Sequence, residues 1–386
     1  MTLADFSYRA LDLRPSKIRD VAELGMGDPD VIPLWFGEAA WRSPAVAIDG
    51  AQAALARDNT HYQPNSGTPA LRQAIARYLH RLHGVDLPLS RITVSASGMQ
   101  GLTLAAQSLV EPGDRVVMVT PDWPNIAAAF EIVGGQVEKI SLSVVEGRWS
   151  LDLDRLLDAL TPDTRCLVLN SPNNPTGWTM SAADQRAVLD HCRARGIWIV
   201  ADEVYNRLYR HGPTAPSFVE CSTAEDRVIA LNSFSKTWAM TGWRLGWMVA
   251  PAELEGPLAM LTEFNIAGAP PFVQTAGAAT LEGGEAFVAE QSERLTRGFE
   301  RVAEGLRAME GVEFIEPDGA FYAFFRVAGM TDSLSTAKDI LAQTKVGLAP
   351  GIAFGAEGEG FLRLCFAQPE SVIEAALERL ADYFAP

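Results

Sequence analysis

The middle of the chain alternates between two hydrophobic periods. Short apolar runs at 115–121 and 164–172 predict buried strands, and the segments 98–110 and 181–196 have the apolar spacing of helices. The second helical segment begins at an N-capping serine and ends at a glycine stop. Apolar strands that alternate with helices predict an α/β fold with a mainly parallel sheet covered on both faces.

The pattern changes near residue 285, where a long, charged, amphipathic helix is predicted. The strands and helices that follow it indicate a smaller α+β domain over 285–386. Residues 46–284 would then form the large domain. The first residues are rich in proline, so we expect 1–45 to be an irregular arm that joins the small domain.

Composition and charge narrow the class of protein. The formal net charge is −16, from 32 basic and 48 acidic residues. An acidic chain argues against nucleic acid or an anionic membrane as a partner, because phosphate contacts need a basic surface. The four cysteines are scattered and make no cluster with histidine, so we expect no metal site. Without an apolar leader or a long apolar run, we expect a cytoplasmic protein.

Polar and aromatic side chains collect where the predicted strands end. In open α/β sheets, ligands bind outside the carboxyl ends of the strands. The residues at these ends are Ser97-Gly98-Met99, Asp122-Trp123, Asn173-Asn174, Asp202 with Tyr205, and Ser233 through Lys236. Each motif has an ordinary structural explanation as well: Ser97-Gly98 could be a simple N-cap, NSPNNPTG a turn, and Asp202 a helix cap.

The stretch NSFSKTWAMTGWRLGW, residues 232–247, contains two cations and no acidic residue. Lys236 and Arg244 therefore lack a partner nearby in sequence. Arginine binds phosphate with two hydrogen bonds, and a lysine in apolar surroundings loses its proton and becomes nucleophilic. Arg363 lies in the apolar run FLRLCFA and suits a substrate carboxylate. The ordinary alternatives are a lysine whose stem packs while its head reaches water, and a structural ion pair.

Taken in order, these segments resemble the pyridoxal-phosphate aminotransferases of class I/II, the fold-type-I family. SFSKTWAMTGWRLG is similar to the lysine motif of that family, and YQPNSGTPALRQAIA, NNPTG, DEVY and LRLCFA are similar to other family segments. The similarity runs from about residue 30 to the end. It implies a seven-stranded, mainly parallel sheet flanked by helices, with pyridoxal 5′-phosphate as the cofactor.

The resemblance implies a role for each matching residue. Lys236 stands where the Schiff-base lysine stands and would form the internal aldimine, then move the proton between Cα and C4′. Asp202 would pair with the pyridinium nitrogen, while Tyr205 and Asn174 would bind the 3-oxygen of the ring. Trp123 would stack on the ring. The phosphate would be held by Ser97, Gly98, Met99, Ser233 and Arg244.

The resemblance also implies how substrate and a second subunit meet the site. Arg363 would bind the α-carboxylate, with Asn174 and Gly37 beside it. Tyr62 would reach the phosphate of the partner subunit, so a homodimer is expected. The chain departs from the family at GEAAW, where relatives have Pro-Asp, and a second arginine for a dicarboxylate side chain has only Arg19 and Arg42 as candidates.

The implied activity is transfer of the amino group of an L-amino acid to a 2-oxo acid. The reaction would be ping-pong, with pyridoxamine phosphate between the half-reactions. A β-eliminating C–S lyase on the same scaffold is the closest alternative, because it needs the same lysine, aspartate and arginine. A cofactor-sensing regulator would need a DNA-binding region, which the acidic chain does not favour.

Overall fold

The computed structural model of the protein describes residues 15–385 together with residues 7, 11 and 13. The other residues of the predicted arm, 1–6, 8–10, 12 and 14, lie outside the described residues, as does residue 386. The strands are β1 (Ile32–Pro33), β2 (Ile92–Ser95), β3 (Arg115–Thr120), β4 (Gln136–Ser141), β5 (Ser143–Val145), β6 (Arg148–Ser150), β7 (Thr164–Asn170), β8 (Trp198–Asp202), β9 (Val228–Ser233), β10 (Gly246–Val249), β11 (Val312–Glu313), β12 (Tyr322–Val327), β13 (Val346–Gly347), β14 (Ala349–Pro350) and β15 (Phe361–Cys365).

Helices alternate with these strands. The α-helices are Lys17–Gly25, Ala45–Ala56, Pro69–His83, Gly98–Leu109, Pro124–Ile132, Leu153–Ala159, Ala182–Arg195, Phe218–Cys221, Phe234–Thr237, Glu255–Asn265, Pro271–Gly283, Glu285–Ala308, Ser333–Thr344 and Glu370–Phe384. Ser181 and Gly196 bound the helix Ala182–Arg195 as the sequence predicts, with the Ser181 hydroxyl accepting from the Asp184 amide.

The central sheet has seven strands in the order β2-β10-β9-β8-β7-β3-β4. Strand β10 is antiparallel to both of its neighbours, and the remaining pairs are parallel. Residues of β7, β8 and β9 are buried almost throughout, because helices cover both faces of the sheet. The predicted fold class is confirmed.

A smaller antiparallel sheet, in the order β11-β12-β15-β14, is formed by the C-terminal part of the chain. The N-terminal segment contacts this part: β1 pairs in parallel with β13, and the helix Lys17–Gly25 packs against the helix Ser333–Thr344. The segments before and after the central sheet therefore lie together.

The prediction of an irregular N-terminal segment is wrong for 17–25, which forms a helix. Its buried positions are Ile18, Val21, Ala22 and Gly25, with the i, i+3, i+4, i+7 spacing of an amphipathic helix. Nine residues carry only two turns of that period, and the prolines on either side dominate the sequence signal. The apolar face is stabilised by tertiary packing, as is usual for short helices.

Two features are absent from the described residues. None of their helices is long and apolar enough to cross a membrane. They also contain no group of three or more His, Cys, Asp or Glu side chains placed to hold a metal ion.

Candidate active site

The carboxyl ends of the central strands open into a cavity of about 300 Å³. Every site residue predicted from the sequence lines this cavity except Ser97 and Tyr62. The lining consists of Ile18, Phe36, Gly37, Gly98, Met99, Leu102, Trp123, Asn170, Asn174, Asp202, Val204, Tyr205, Ser233, Ser235, Lys236, Thr241, Arg244, Tyr322 and Arg363. Residues from both sheets and from the N-terminal segment therefore share one pocket.

Lys236 is positioned by a short helix that directly follows β9. The Ser233 hydroxyl caps this helix by accepting from the Ser235 amide at 3.1 Å. On the far side, Phe234 and Trp238 are buried, with ring centroids 5.1 Å apart. Gln291 donates to the backbone oxygens of Lys236 and Thr237, both at 3.0 Å. The backbone at Lys236 is thus fixed from two sides, and the amine faces the cavity.

The surroundings of the Lys236 amine favour its neutral form. It donates to the Gly37 backbone oxygen at 2.5 Å and lies 5.7 Å from the centre of the Tyr205 ring. Burial lowers the pKa of this amine from 10.5 to about 8, and the charge of Arg363 acts in the same direction. A lysine with a lowered pKa supplies free amine near neutral pH, which is what a nucleophile or a general base requires.

We expect the Lys236 amine of the cofactor-free protein to titrate with a midpoint near pH 8. Burial disfavours the charged form, so the proton leaves at a lower pH than from a lysine in water. Reductive methylation with ¹³C-formaldehyde, followed by NMR of the methyl signal against pH, measures this midpoint. Loss of the signal in Lys236→Arg assigns it. A midpoint at the ordinary lysine value, about 10.4, would contradict the expectation.

Asp202 lies at the end of β8 and is 4% exposed. One of its carboxylate oxygens, Oδ1, accepts from the Val204 amide at 3.2 Å. Burial raises the pKa of Asp202 to about 7, against the opposing effects of that hydrogen bond and of Lys236. A buried carboxylate with one long hydrogen bond is poorly compensated. A cationic N–H group in the cavity would stabilise its charged form.

The opposite end of the cavity suits an anion. Gly98 and Met99 begin the helix Gly98–Leu109, where free backbone amides and the helix dipole favour negative charge. The Ser233 and Ser235 hydroxyls lie 2.9 Å apart at the same end of the pocket. Arg244 has the left-handed backbone angles φ 55° and ψ 61°, and its Nη1 donates to the Thr241 backbone oxygen at 2.6 Å. Its guanidinium keeps further donors for a phosphate.

Arg363 reaches the cavity from β15 of the small sheet and is 2% exposed. Its Nη1 donates to Asn174 Oδ1 at 2.8 Å, and its Nη2 donates to the Trp35 backbone oxygen. Its guanidinium carbon lies 4.4 Å from the centre of the Tyr322 ring. The acceptors recorded for this buried cation are both neutral, and Nε is buried without a partner among the described residues. Such a cation needs an anion.

Tyr322 and Gly37 complete the wall beside Arg363. The Tyr322 and Tyr205 hydroxyls are 2.7 Å apart, and both side chains are buried. A Cβ atom on residue 37 would lie 1.8 Å from the Tyr322 hydroxyl, so only glycine fits at that position. The sequence did not single out Tyr322, although a tyrosine within the apolar run GAFYAFF is the same kind of signal that identified Arg363.

The two predicted residues outside the lining have different surroundings. Ser97 is buried, and its hydroxyl caps the helix by accepting from the Gln100 amide at 3.0 Å. Tyr62 is 90% exposed and does not line the cavity of its own chain. Sequence reasoning also missed Asn170 and Gln291. Asn170 accepts from the Asn174 amide at 2.8 Å and donates to the Asp202 backbone oxygen at 3.0 Å.

These residues fit pyridoxal phosphate. The undercompensated Asp202 carboxylate suits a protonated ring nitrogen, and the helix start with Arg244 and two hydroxyls suits a phosphate. A Cβ atom on residue 98 would come within 3.4 Å of Val204 and Ser233, so glycine keeps the anion end of the cavity open. Lys236, with its lowered pKa, suits an aldehyde.

Comparison with known proteins identifies the family. The model of the family "Aminotransferase class I and II" matches residues 24–380. An aspartate aminotransferase of Pyrococcus horikoshii is 33% identical over 376 residues, which cover 96% of this chain and 95% of the relative. An aromatic-amino-acid aminotransferase of Thermococcus litoralis is 31% identical over 375 residues, or 95% of each chain.

A solved structure gives the same result at the level of the fold. A single mutant of Thermus thermophilus aspartate aminotransferase superimposes with a TM-score of 0.91 at 30% identity, and the match covers 98% of this chain and 99% of that one. The cofactor of this family is pyridoxal phosphate, and its reaction is amino-group transfer. The chain belongs to the class I and II aminotransferases, pyridoxal-phosphate-dependent enzymes that transfer nitrogenous groups.

Proposed function

We propose that this aminotransferase works through Lys236, Asp202 and Arg363, which act in one cavity on one amino acid. The single observation that carries the proposal is the placement of these three charged side chains around a space that fits the cofactor. When bound, pyridoxal phosphate withdraws electrons from the substrate Cα and so makes its hydrogen acidic.

The cofactor is held at both ends. Asp202 would pair with the ring nitrogen, and Tyr205 and Asn174 would bind the ring 3-oxygen, since all three residues line the cavity. Asn174 Oδ1 is already taken by Arg363, which leaves the amide nitrogen as the donor. Trp123 supplies a flat face for the ring. Arg244, Ser233, and the backbone amides of Ser97, Gly98 and Met99 hold the phosphate.

Lys236 holds the aldehyde carbon and then moves the proton at the substrate Cα. Its neutral amine near pH 8 supports this role, since a base must be free to accept. Its hydrogen bond to the Gly37 oxygen keeps the amine on the side of the cavity that Arg363 lines. Arg363 fixes the α-carboxylate with help from Asn174 and the backbone at Gly37, so the Cα–H bond is presented to the amine.

A homodimer belongs to the proposal. Tyr62 is 90% exposed and Phe264 is 86% exposed, and Asn65 Nδ2 links the two segments by donating to Glu263 Oε2 at 3.2 Å. Exposed aromatic residues of this kind are typical of an interface. In a dimer, Tyr62 crosses to the phosphate of the partner subunit. The same proposal divides the chain into an arm at 1–45, a large domain at 46–284 and a small domain at 285–386.

Product analysis tests transfer against β-elimination, for which the aminotransferase relatives give no support. Amino acid added without a 2-oxo acid should yield one equivalent of 2-oxo acid per site and then stop. Sustained release of pyruvate and ammonia from L-cysteine would instead identify a lyase.

Substituting Arg363 tests the carboxylate site. We expect Arg363→Ala to lower kcat/KM for every amino donor by about 100-fold or more, because a charge-assisted bidentate pair is lost from a buried position. Most of the change should be in KM. Arg363→Lys keeps the positive charge but not the planar group that donates two parallel hydrogen bonds, so it should recover part of the lost kcat/KM. Steady-state kinetics with several donors measure the effect, and an unchanged KM would place the carboxylate elsewhere.

A further inference from the structure

One wall of the cavity is apolar and comes from the N-terminal segment. Phe36 and Ile18 both line the pocket, Phe36 partly exposed and Ile18 6% exposed. Ile18 belongs to the helix Lys17–Gly25, which the sequence pattern did not predict. The proposed cofactor contacts do not use either side chain.

The backbone around Phe36 shows where this wall lies relative to a substrate. The oxygen of the preceding residue, Trp35, accepts from Arg363, and the oxygen of the following residue, Gly37, accepts from Lys236. An amino acid with its carboxylate at Arg363 and its nitrogen at Lys236 has its Cα between these two groups. Phe36 is the residue between these two and itself lines the pocket, so its ring borders the space that a substrate side chain would enter.

The cations that the described residues of this chain contribute to the lining all have other proposed partners. The positively charged lining residues are Lys236, Arg244 and Arg363. In the proposed function they take the aldehyde, the phosphate and the α-carboxylate. A second carboxylate on the substrate would therefore be buried against Phe36 and Ile18 without a partner from the described lining, which is unfavourable.

We propose that Phe36 and Ile18 determine specificity for amino donors with uncharged, apolar side chains, aromatic ones included, over dicarboxylic amino acids. This inference rests on the proposed roles of Lys236 and Arg363. Apolar side chains gain from contact with the wall in proportion to the area they bury, and an aromatic donor gains further from ring contact with Phe36.

Arg19 provides the competing hypothesis. Its guanidinium carbon lies 5.9 Å from the centre of the Phe36 ring, and the residue is exposed. Arg19 is absent from the lining. If it bound the side-chain carboxylate of a substrate, aspartate would be a good donor and Arg19→Ala would remove that preference.

The test compares single half-reactions of the holoenzyme with L-phenylalanine, L-leucine, L-alanine and L-aspartate, followed by the absorbance of the bound cofactor. We expect wild-type kcat/KM for phenylalanine to exceed that for aspartate by about 100-fold or more. Phe36→Ala should lower kcat/KM for phenylalanine and leucine about 10- to 100-fold more than for alanine, whose side chain hardly reaches the wall. Phe36→Leu retains an apolar wall and should keep most of the leucine activity.

Each outcome decides the inference. If L-alanine converts the cofactor in the wild type, and Phe36→Ala lowers kcat/KM equally for all donors, the proposed role of Phe36 is wrong while the proposed function stands. A wild-type preference for aspartate would also overturn it, and Arg19→Ala would then show whether Arg19 supplies the cation. Failure of all four donors to change the cofactor spectrum would instead count against the proposed function itself.

Discussion

Replacing Lys236 by alanine is expected to lower kcat for amino-group transfer by at least about 10⁴-fold. The substitution removes the amine that the proposed function gives two tasks, holding the aldehyde carbon and moving the proton at Cα. It also removes the donor to the Gly37 oxygen at 2.5 Å. Single-turnover absorbance with an amino donor measures the loss without interference from product release.

Two controls separate chemistry from binding. Lys236→Arg keeps a cation at this position but cannot supply a neutral amine, so it should be as inactive as the alanine variant. Lys338→Ala, on the helix Ser333–Thr344 outside the lining, should behave as wild type. Both Lys236 variants should still bind cofactor through Arg244 and the helix start at Gly98. Near-normal turnover in either of them would refute the role of Lys236.

The sequence predicted the parts of the site that follow directly from strand order. Asn174, Asp202 and Lys236 come at or just after the ends of β7, β8 and β9, and parallel strands bring their carboxyl ends to one edge. The absence of an acidic residue near Lys236 and Arg244 in the sequence was informative as well. Such cations need an anion from outside the segment, and the cavity supplies room for one.

The remaining parts depend on contacts between distant residues. Arg363 bonds to Asn174 across 189 positions and to Trp35 across 328, and the Tyr205–Tyr322 pair spans 117. Periodicity within one segment carries no information about such pairs. The same holds for Gln291, whose side-chain amide donates to the backbone oxygen of Lys236. Gln291 lies in the helix Glu285–Ala308, which the sequence pattern predicts only as charged and amphipathic. Asn174, Tyr205 and Arg363 were candidates in the sequence, but the contacts that join them to distant residues could be found only once the fold was known.

The charged groups that line the cavity are mainly basic, whereas the protein as a whole is acidic. The chain carries a net charge of −16, yet two arginines and the Lys236 amine face the pocket with a single carboxylate, Asp202. Charges beside buried groups are screened less than charges in bulk water, so this local excess of basic groups acts strongly at short range on phosphate and carboxylate groups. We therefore expect the cavity to favour a phosphate together with a carboxylate, as the proposed function requires.

We expect Asp202→Asn to lower kcat by about 10³-fold, since losing one partner of a buried charge pair costs roughly 4 kcal/mol. Asparagine has the shape of aspartate but cannot balance a protonated ring nitrogen. Burial raises the pKa of Asp202 to about 7 in the cofactor-free protein, so the carboxylate loses its charge as the pH falls below 7. Cofactor affinity of the wild type should therefore weaken in that range more steeply than that of Asp202→Asn, as fluorescence titration at several pH values would measure.

Glu203 offers a matched control because it is the next residue, is equally buried and has its pKa raised by burial to about 7. Its carboxylate accepts from the Ser217 hydroxyl at 2.6 Å and the Phe218 amide at 2.8 Å, and it is not part of the cavity lining. Glu203→Gln should therefore lower the free energy of unfolding while leaving kcat and the pH dependence of cofactor affinity close to wild type. Equal losses of kcat in the two variants would mean that Asp202 acts through the stability of the strand end, and its proposed pairing with the cofactor would then be wrong.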